Sequence, residues 1–238
     1  ATTAANSGQQ KPLQLTSFSS RGLCGLEVIT ALPGQQLTSL TIGLAEWNLP
    51  RFAALCSNSS TAWPIALAQL THLKSVDLYR FAEGSTNLEM GIPCSCITGL
   101  AALQQLSSLR LDGINNIWAP LLQQLPAGLQ QLQLRFDDLN LGVLGVAVDI
   151  QHLTQLSILQ LDVESAAPLA PGAALPSNLR SLKFTSPMHY MFPEDTLCNA
   201  VEVLQLSTLQ QLSKLVITVT DSGDHIPFYL LSLTELTQ

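Results

Sequence analysis

The sequence predicts an α/β solenoid, a stack of similar coils that each give one short strand to a shared core. Three observations predict it. A pair of aliphatic or aromatic residues two places apart recurs eight times, anchored at Leu13, Leu40, Val76, Leu109, Leu132, Leu159, Leu182 and Leu215. Seven of these anchors have a leucine three places earlier: Leu37, Leu73, Leu106, Leu129, Leu156, Leu179 and Leu212. Finally, "LQQLSSLRLD" at 103–112 returns fifty positions on as "LTQLSILQLD", and "LPAGLQQLQL" at 125–134 returns at the same interval as "LPSNLRSLKF". Self-similarity of this kind marks an architecture in which neighbouring units supply the core that a single unit lacks.

Taken in chain order, residues 1–11 have no apolar core and are expected to be a disordered or extended lead-in, with the repeat domain covering 12–238. Side chains alternate along a strand, so each anchor shares one side with the residue two places on: Leu15, Ile42, Leu78, Leu111, Leu134, Leu161, Phe184 and Ile217. Before Val76, Leu109, Leu159 and Leu215 the leucines fall at every third place, as in "LAALQQLSSL" and "LSTLQQLSKL", which predicts a helical or 3₁₀ stripe. Before Leu40, Leu132 and Leu182 stands a proline, in "LPGQQL", "LPAGL" and "LPSNL". It restricts a helix from running into the strand, so these units are expected to be short and extended on their outer side. The last residues, "LLSLTELTQ", place Leu230, Leu233 and Leu236 three apart. The chain is therefore expected to end inside a ninth repeat, with an apolar end open to a continuation of the chain or to a partner.

The "LxxLxL" cores resemble the leucine-rich repeat family from about residue 12 onward. Anchor intervals of 27, 36, 33, 23, 27, 23 and 33 lie within or somewhat above the roughly 20–29 residues of that family. The family's asparagine five places after each anchor is replaced by Phe18, Ala45, Phe81, Ile114, Asp137, Glu164, Pro187 and Thr220, which suggests an irregular subclass without an asparagine ladder. Trp47, Phe81 and Trp118, in the segments leaving the strands, are expected to fill that place as apolar plugs, the alternative being an exposed aromatic rim that serves as a contact surface.

The resemblance implies a curved solenoid with short parallel strands on the concave face and helical, 3₁₀ or extended segments on the convex face. It implies groove columns at Gln14, Thr41, Asp77, Arg110, Gln133, Gln160, Lys183 and Val216, beside Thr16, Gly43, Tyr79, Asp112, Arg135, Asp162, Thr185 and Thr218. The expected function is a non-enzymatic protein–protein interaction module that takes a protein or peptide partner on the concave sheet or on the rim of ascending loops, as part of a larger chain or assembly. Candidate partner-binding residues are Asp77, Tyr79, Arg110, Asp112, Arg135, Phe136, Asp162 and Lys183, with Tyr190 and Phe192 in the proline-flanked insertion "PMHYMFPED". The structural alternative for the charged members is cross-strand neutralisation, Asp77 with Arg110 and Asp112 with Arg135 and Asp162. At the level of the whole chain, the alternative is a structural subunit permanently buried in a complex, which the low charge also suits.

Composition narrows the classes. Of 238 residues, 47 are leucine, 5% are aromatic and 11% are charged, with a formal net charge of −7. A nucleic-acid role wants clustered Lys and Arg and is not expected. The apolar stretch "LNLGVLGVAV" at 139–148 falls short of the roughly 20 residues that a bilayer span needs. Five scattered cysteines (Cys24, Cys56, Cys94, Cys96, Cys198) favour a reducing, intracellular setting over the secreted one that a lone sequon at Asn58 would suit. No "GxSxG", "HExxH", phosphate-binding loop or dinucleotide fingerprint occurs. Cys94 and Cys96 are at most half a zinc site, and Asp221, Asp224 and His225 in "DSGDH" read as turn chemistry. No cofactor or metal is expected. His72 and His152, each just before a core leucine, are expected at the solvent edge.

Overall fold

The computed structural model describes residues 14–20, 26–45, 62–81, 98–114, 122–136, 148–163, 175–188, 208–221 and 227–234. Among the described residues nine strands form one sheet in chain order: β1 (Ser17–Ser20), β2 (Ser39–Ala45), β3 (Ser75–Phe81), β4 (Ser108–Ile114), β5 (Gln131–Phe136), β6 (Ile158–Val163), β7 (Ser181–Met188), β8 (Lys214–Asp221) and β9 (Pro227–Thr234). Strands β1 to β8 are parallel, so each connection must carry the chain back to the same end before the next strand begins. Repeated over the seven connections, this gives a solenoid-like arrangement.

Register follows the sequence columns. Leu40 pairs with Val76, Val76 with Leu109, Leu109 with Leu132, Leu132 with Leu159, Leu159 with Leu182 and Leu182 with Leu215. A one-residue slip would turn every leucine outward, so burial of one face fixes this register. These anchors, their partners two places on and the leucines three places before are all buried, and they belong to one continuous apolar cluster.

The two ends depart from the sequence expectation. In the first unit Phe18, not Leu13, pairs with Leu40, and Ser20 pairs with Ile42. The anchor thus lies five residues later, Leu15 takes the place of the preceding leucine, and it is 39% exposed. The "Leu13-x-Leu15" pair imitated the pattern, whereas the true strand, "SFSS", carries only one apolar residue. Gln14 and Thr16 consequently precede the strand, and Ser19 pairs with Thr41 in their stead. At the other end β9 runs antiparallel to β8, with Leu215 opposite Leu233 and Ile217 opposite Leu231. Leu230 and Leu233 therefore belong to a strand that folds back on the sheet, not to the spacer of a ninth coil.

Between strands the leucines at every third place close successive turns. The N–H of Leu106 donates to the carbonyl of Leu103, and that of Leu103 to Leu100; Leu73, Leu70 and Leu67 repeat the arrangement, as do Leu156, Leu153 and Ile150. The proline units use the same last turn, Leu129 donating to Pro126 and Leu179 to Pro176, where proline needs only its carbonyl. Their outer sides are not simply extended, however. A short helix α1 (Leu26–Ala31) runs up to Leu32-Pro33, and Leu125 closes a further turn onto Leu122. Proline stops a helix at its own position and leaves the residues before it able to turn. A second helix, α2 (Ala62–Ala68), carries Pro64 in its first turn, where the missing N–H costs nothing.

Adjacent coils approach closely on this side. A Cβ on Gly34 would lie 2.5 Å from the carbonyl oxygen of Gln69, and one on Gly99 would lie 2.8 Å from the backbone of Pro64. Glycine is required at both places by the neighbouring backbone.

A carbonyl two places before each anchor links every coil to the next. The oxygens of Thr16, Thr38, Lys74, Ser107, Gln130, Ser157 and Arg180 each accept two N–H groups from the following unit, for example Ser157 and Ile158 onto Gln130. The hydroxyls of Thr38, Ser107, Ser157 and Ser213 add a third donor to the same acceptors at 3.0–3.1 Å. These bonds lie at the entry to each strand. They satisfy backbone groups at the start of each strand, at the opposite end from the place where the family's asparagine would stand.

Candidate functional site

Residues between the buried anchors point away from the core, so the outward face of the sheet is written by two columns. Thr41, Asp77, Arg110, Gln133, Gln160, Lys183 and Val216 stand in one, each in register with the next. Gly43 pairs with Tyr79, and Asp112, Arg135, Asp162, Thr185 and Thr218 continue the second column from β4 to β8.

Charge is concentrated on β3, β4 and β5. Arg110 Nε lies 3.7 Å from Asp77 Oδ1, and Arg110 Nη2 lies 3.6 Å from Asp112 Oδ2. Arg135 Nε lies 3.6 Å from Asp112 Oδ1, so Asp112 stands between two guanidinium groups. The two signs differ in depth. The Arg110 and Arg135 side chains are 44% and 43% exposed, whereas those of Asp112 and Asp77 are 10% and 27% exposed. A guanidinium rides on a long stem and keeps its head in water while the short carboxylate stays near the sheet. The outermost charge of this cluster is therefore positive, although its formal charges balance.

Asp77 and Arg110 are paired by charge without a direct hydrogen bond, and Asp77 Oδ1 is shielded from solvent with no hydrogen-bond partner. Burial accordingly pushes the Asp77 carboxyl above its ordinary value, and the nearby Arg110 cation only partly opposes the shift. Asp162 is held differently. Its Oδ2 accepts from Gln160 Nε2 at 2.8 Å and from Gln133 Nε2 at 3.4 Å. These glutamines were placed on the face by the sequence, but their role as carboxylate holders was not evident from it; a polar residue two places away on the same strand face is the signal that would have found Gln160.

The backbone shapes this face at two points. Tyr79 lies over Gly43, its ring atoms 2.9–3.0 Å from where a Cβ would stand, so glycine makes room for the ring. At the end of β4 the register shifts between Asp112 and Ile114, and Gly113 takes a φ of 88°. A bulge here places one extra residue beside Asp112, in a conformation that favours glycine.

Of the predicted partner-binding residues, Asp77, Tyr79, Arg110, Asp112, Arg135, Asp162 and Lys183 share this outward face, with Lys183 between Gln160 and Val216. Phe136 does not. It is 1% exposed within the apolar cluster, because it continues the inward series of Leu132 and Leu134. Tyr190 and Phe192 lie outside the described residues, as do Trp47, Trp118, all five cysteines, Asn58, Asp224 and His225. His72 is exposed, and His152 is half-buried with Nε2 3.2 Å from the Leu125 carbonyl. Among the described residues no three His, Cys, Asp or Glu side chains group as a metal site, and no helix is long and apolar enough to cross a membrane.

No protein-family model matches the chain, and no curated protein matches it in sequence.

Proposed function

We propose that the chain is a leucine-rich-repeat-like, non-enzymatic binding module of the cell interior that takes a protein partner on the outward face of its sheet. The observation that carries this reading is the arginine cluster: two half-exposed guanidinium groups stand over a mostly covered carboxylate on hydrogen-bonded strands. Such groups enter an interface with less further ordering, because strand pairing fixes the backbone that carries them and Asp112 orients their heads. Tyr79, rigid on Gly43, adds an amphipathic contact at the edge of the cluster. Tyr and Arg are the residue types that dominate interface energetics.

The test is affinity capture followed by mass spectrometry with the parent chain, Tyr79→Ala and Arg135→Glu, all checked for an unchanged fold by circular dichroism. A specific protein captured by the parent and lost from both variants supports the reading. A specific partner captured equally by all three places binding on another surface and overturns the choice of this face.

A further inference from the structure

Resting on the proposed binding role of this face, we infer that its occupant is an extended acidic segment of a partner protein whose carboxylates alternate along the chain and engage Arg110 and Arg135 together.

Four observations converge on this chemistry. First, the exposed members of the cluster are cations. Any approaching group meets Arg110 and Arg135 before it meets Asp77 or Asp112. Second, Arg110 faces Asp77 through Nε and Asp112 through Nη2, with separations of 3.6–3.7 Å that are ion pairing rather than close hydrogen bonding. A guanidinium carries five N–H donors and binds carboxylates through planar forks, so an added carboxylate can share the same head group. Third, the cations are spaced for an extended chain. Arg110 pairs with Gln133, and Arg135 lies two residues beyond Gln133 on the same strand. One strand spacing of about 4.8 Å and two residues of about 3.3 Å each separate their Cα atoms by roughly 8 Å. Alternate residues of an extended segment present side chains on one face about 7 Å apart, within the reach of the two flexible stems. Fourth, the polar neighbours Gln133 and Gln160 and the further cation Lys183 extend the face toward β7 with no intervening apolar residue in the first column.

Phosphate chains fit this face less well. Asp77, Asp112 and Asp162 stand beside the arginines, and the chain as a whole carries −7. A long polyanion would carry charge past the two arginines onto these carboxylates, whereas a segment with two carboxylates two residues apart brings only that pair to Arg110 and Arg135 and turns the residue between them away from the sheet.

The experiment uses the whole chain and a fluorescein-labelled peptide of alternating serine and glutamate, followed by fluorescence anisotropy. Controls are the same peptide with glutamine for glutamate, and a single-stranded oligonucleotide of similar length. The inference expects saturable binding of the glutamate peptide, weakened by salt and lowered at least about tenfold by the glutamine exchange or by Arg110→Gln or Arg135→Gln. The peptide exchange leaves the protein untouched, so the result does not depend on how the variants fold. Equal binding of the two peptides, no saturable binding up to millimolar peptide, or tighter binding of the oligonucleotide each overturns it. A partner captured through this face by a neutral or basic segment would overturn this inference while leaving the proposed binding role standing.

Discussion

Replacing Asp112 by alanine removes the carboxylate that lies between Arg110 and Arg135 and leaves two like charges with less to hold them. Exposed pairs are worth up to about 1 kcal/mol, and breaking a fully buried pair costs about 3–5 kcal/mol. Covered acid and half-exposed bases fall between, so Asp112→Ala is expected to lose about 1–3 kcal/mol in urea unfolding. Asp77 is expected to behave in the opposite sense. Its folded-state pKa is raised by burial, so between its unfolded and folded values the native state binds more protons and stability falls as pH rises. Above that window the ionised carboxylate remains a net burden. Asp77→Asn should therefore match or exceed the parent in stability at neutral pH and should lose the parent's gain on acidification through that window; a clear loss at neutral pH would show that the Arg110 attraction prevails. At this scale the sequence was legible through strand alternation, which placed seven of the candidate residues on one face. Phe136 shows the rule neglected: counting by twos from Leu132 turns it inward. What the pattern lacks is depth, so neither the covered state of Asp112 nor the packing of Tyr79 on Gly43 was readable.

Among elements, the coil-to-coil contacts are the most demanding. Gly34→Ala would place a methyl group against the Gln69 carbonyl, which belongs to the backbone and has no rotamer to yield. The coils must separate or tilt, at an expected cost of about 1–3 kcal/mol measured as a lower urea midpoint; an unchanged midpoint would show that the two coils are not in contact there. The turns between strands were legible because leucine at every third place matches a chain of turns each closed three residues back, and the observed hydrogen bonds follow that spacing. Less legible were the ends. In β1 a leucine pair outside the strand mimicked the anchor, and "SFSS" offered too little apolar content to compete. In β9 the run "PFYLLSLT" fits a turn stripe and a strand equally well, because short apolar runs carry both periods. Pairing with β8 decided it. The hydroxyl bonds of Thr38, Ser107, Ser157 and Ser213 left only a loose trace in sequence, since Lys74, Gln130 and Arg180 share their column and bring no hydroxyl.

At the scale of the whole molecule, one apolar column runs from Ile29 to Ile217 among the described residues, with no break into separate cores there. Each buried leucine is worth about 1.5–3 kcal/mol, but a single coil has no opposing wall against which to bury it, so stability is shared between nearest neighbours. Leu132 sits between Leu109 and Leu159. Leu132→Ala is expected to cost about 2–5 kcal/mol, and the loss should not stay within its own strand. Hydrogen–deuterium exchange of this variant against the parent, followed by mass spectrometry, is the direct measurement. The stacked column predicts faster exchange in 108–114, 131–136 and 158–163 together; acceleration confined to 131–136, with both neighbours protected as in the parent, would contradict it.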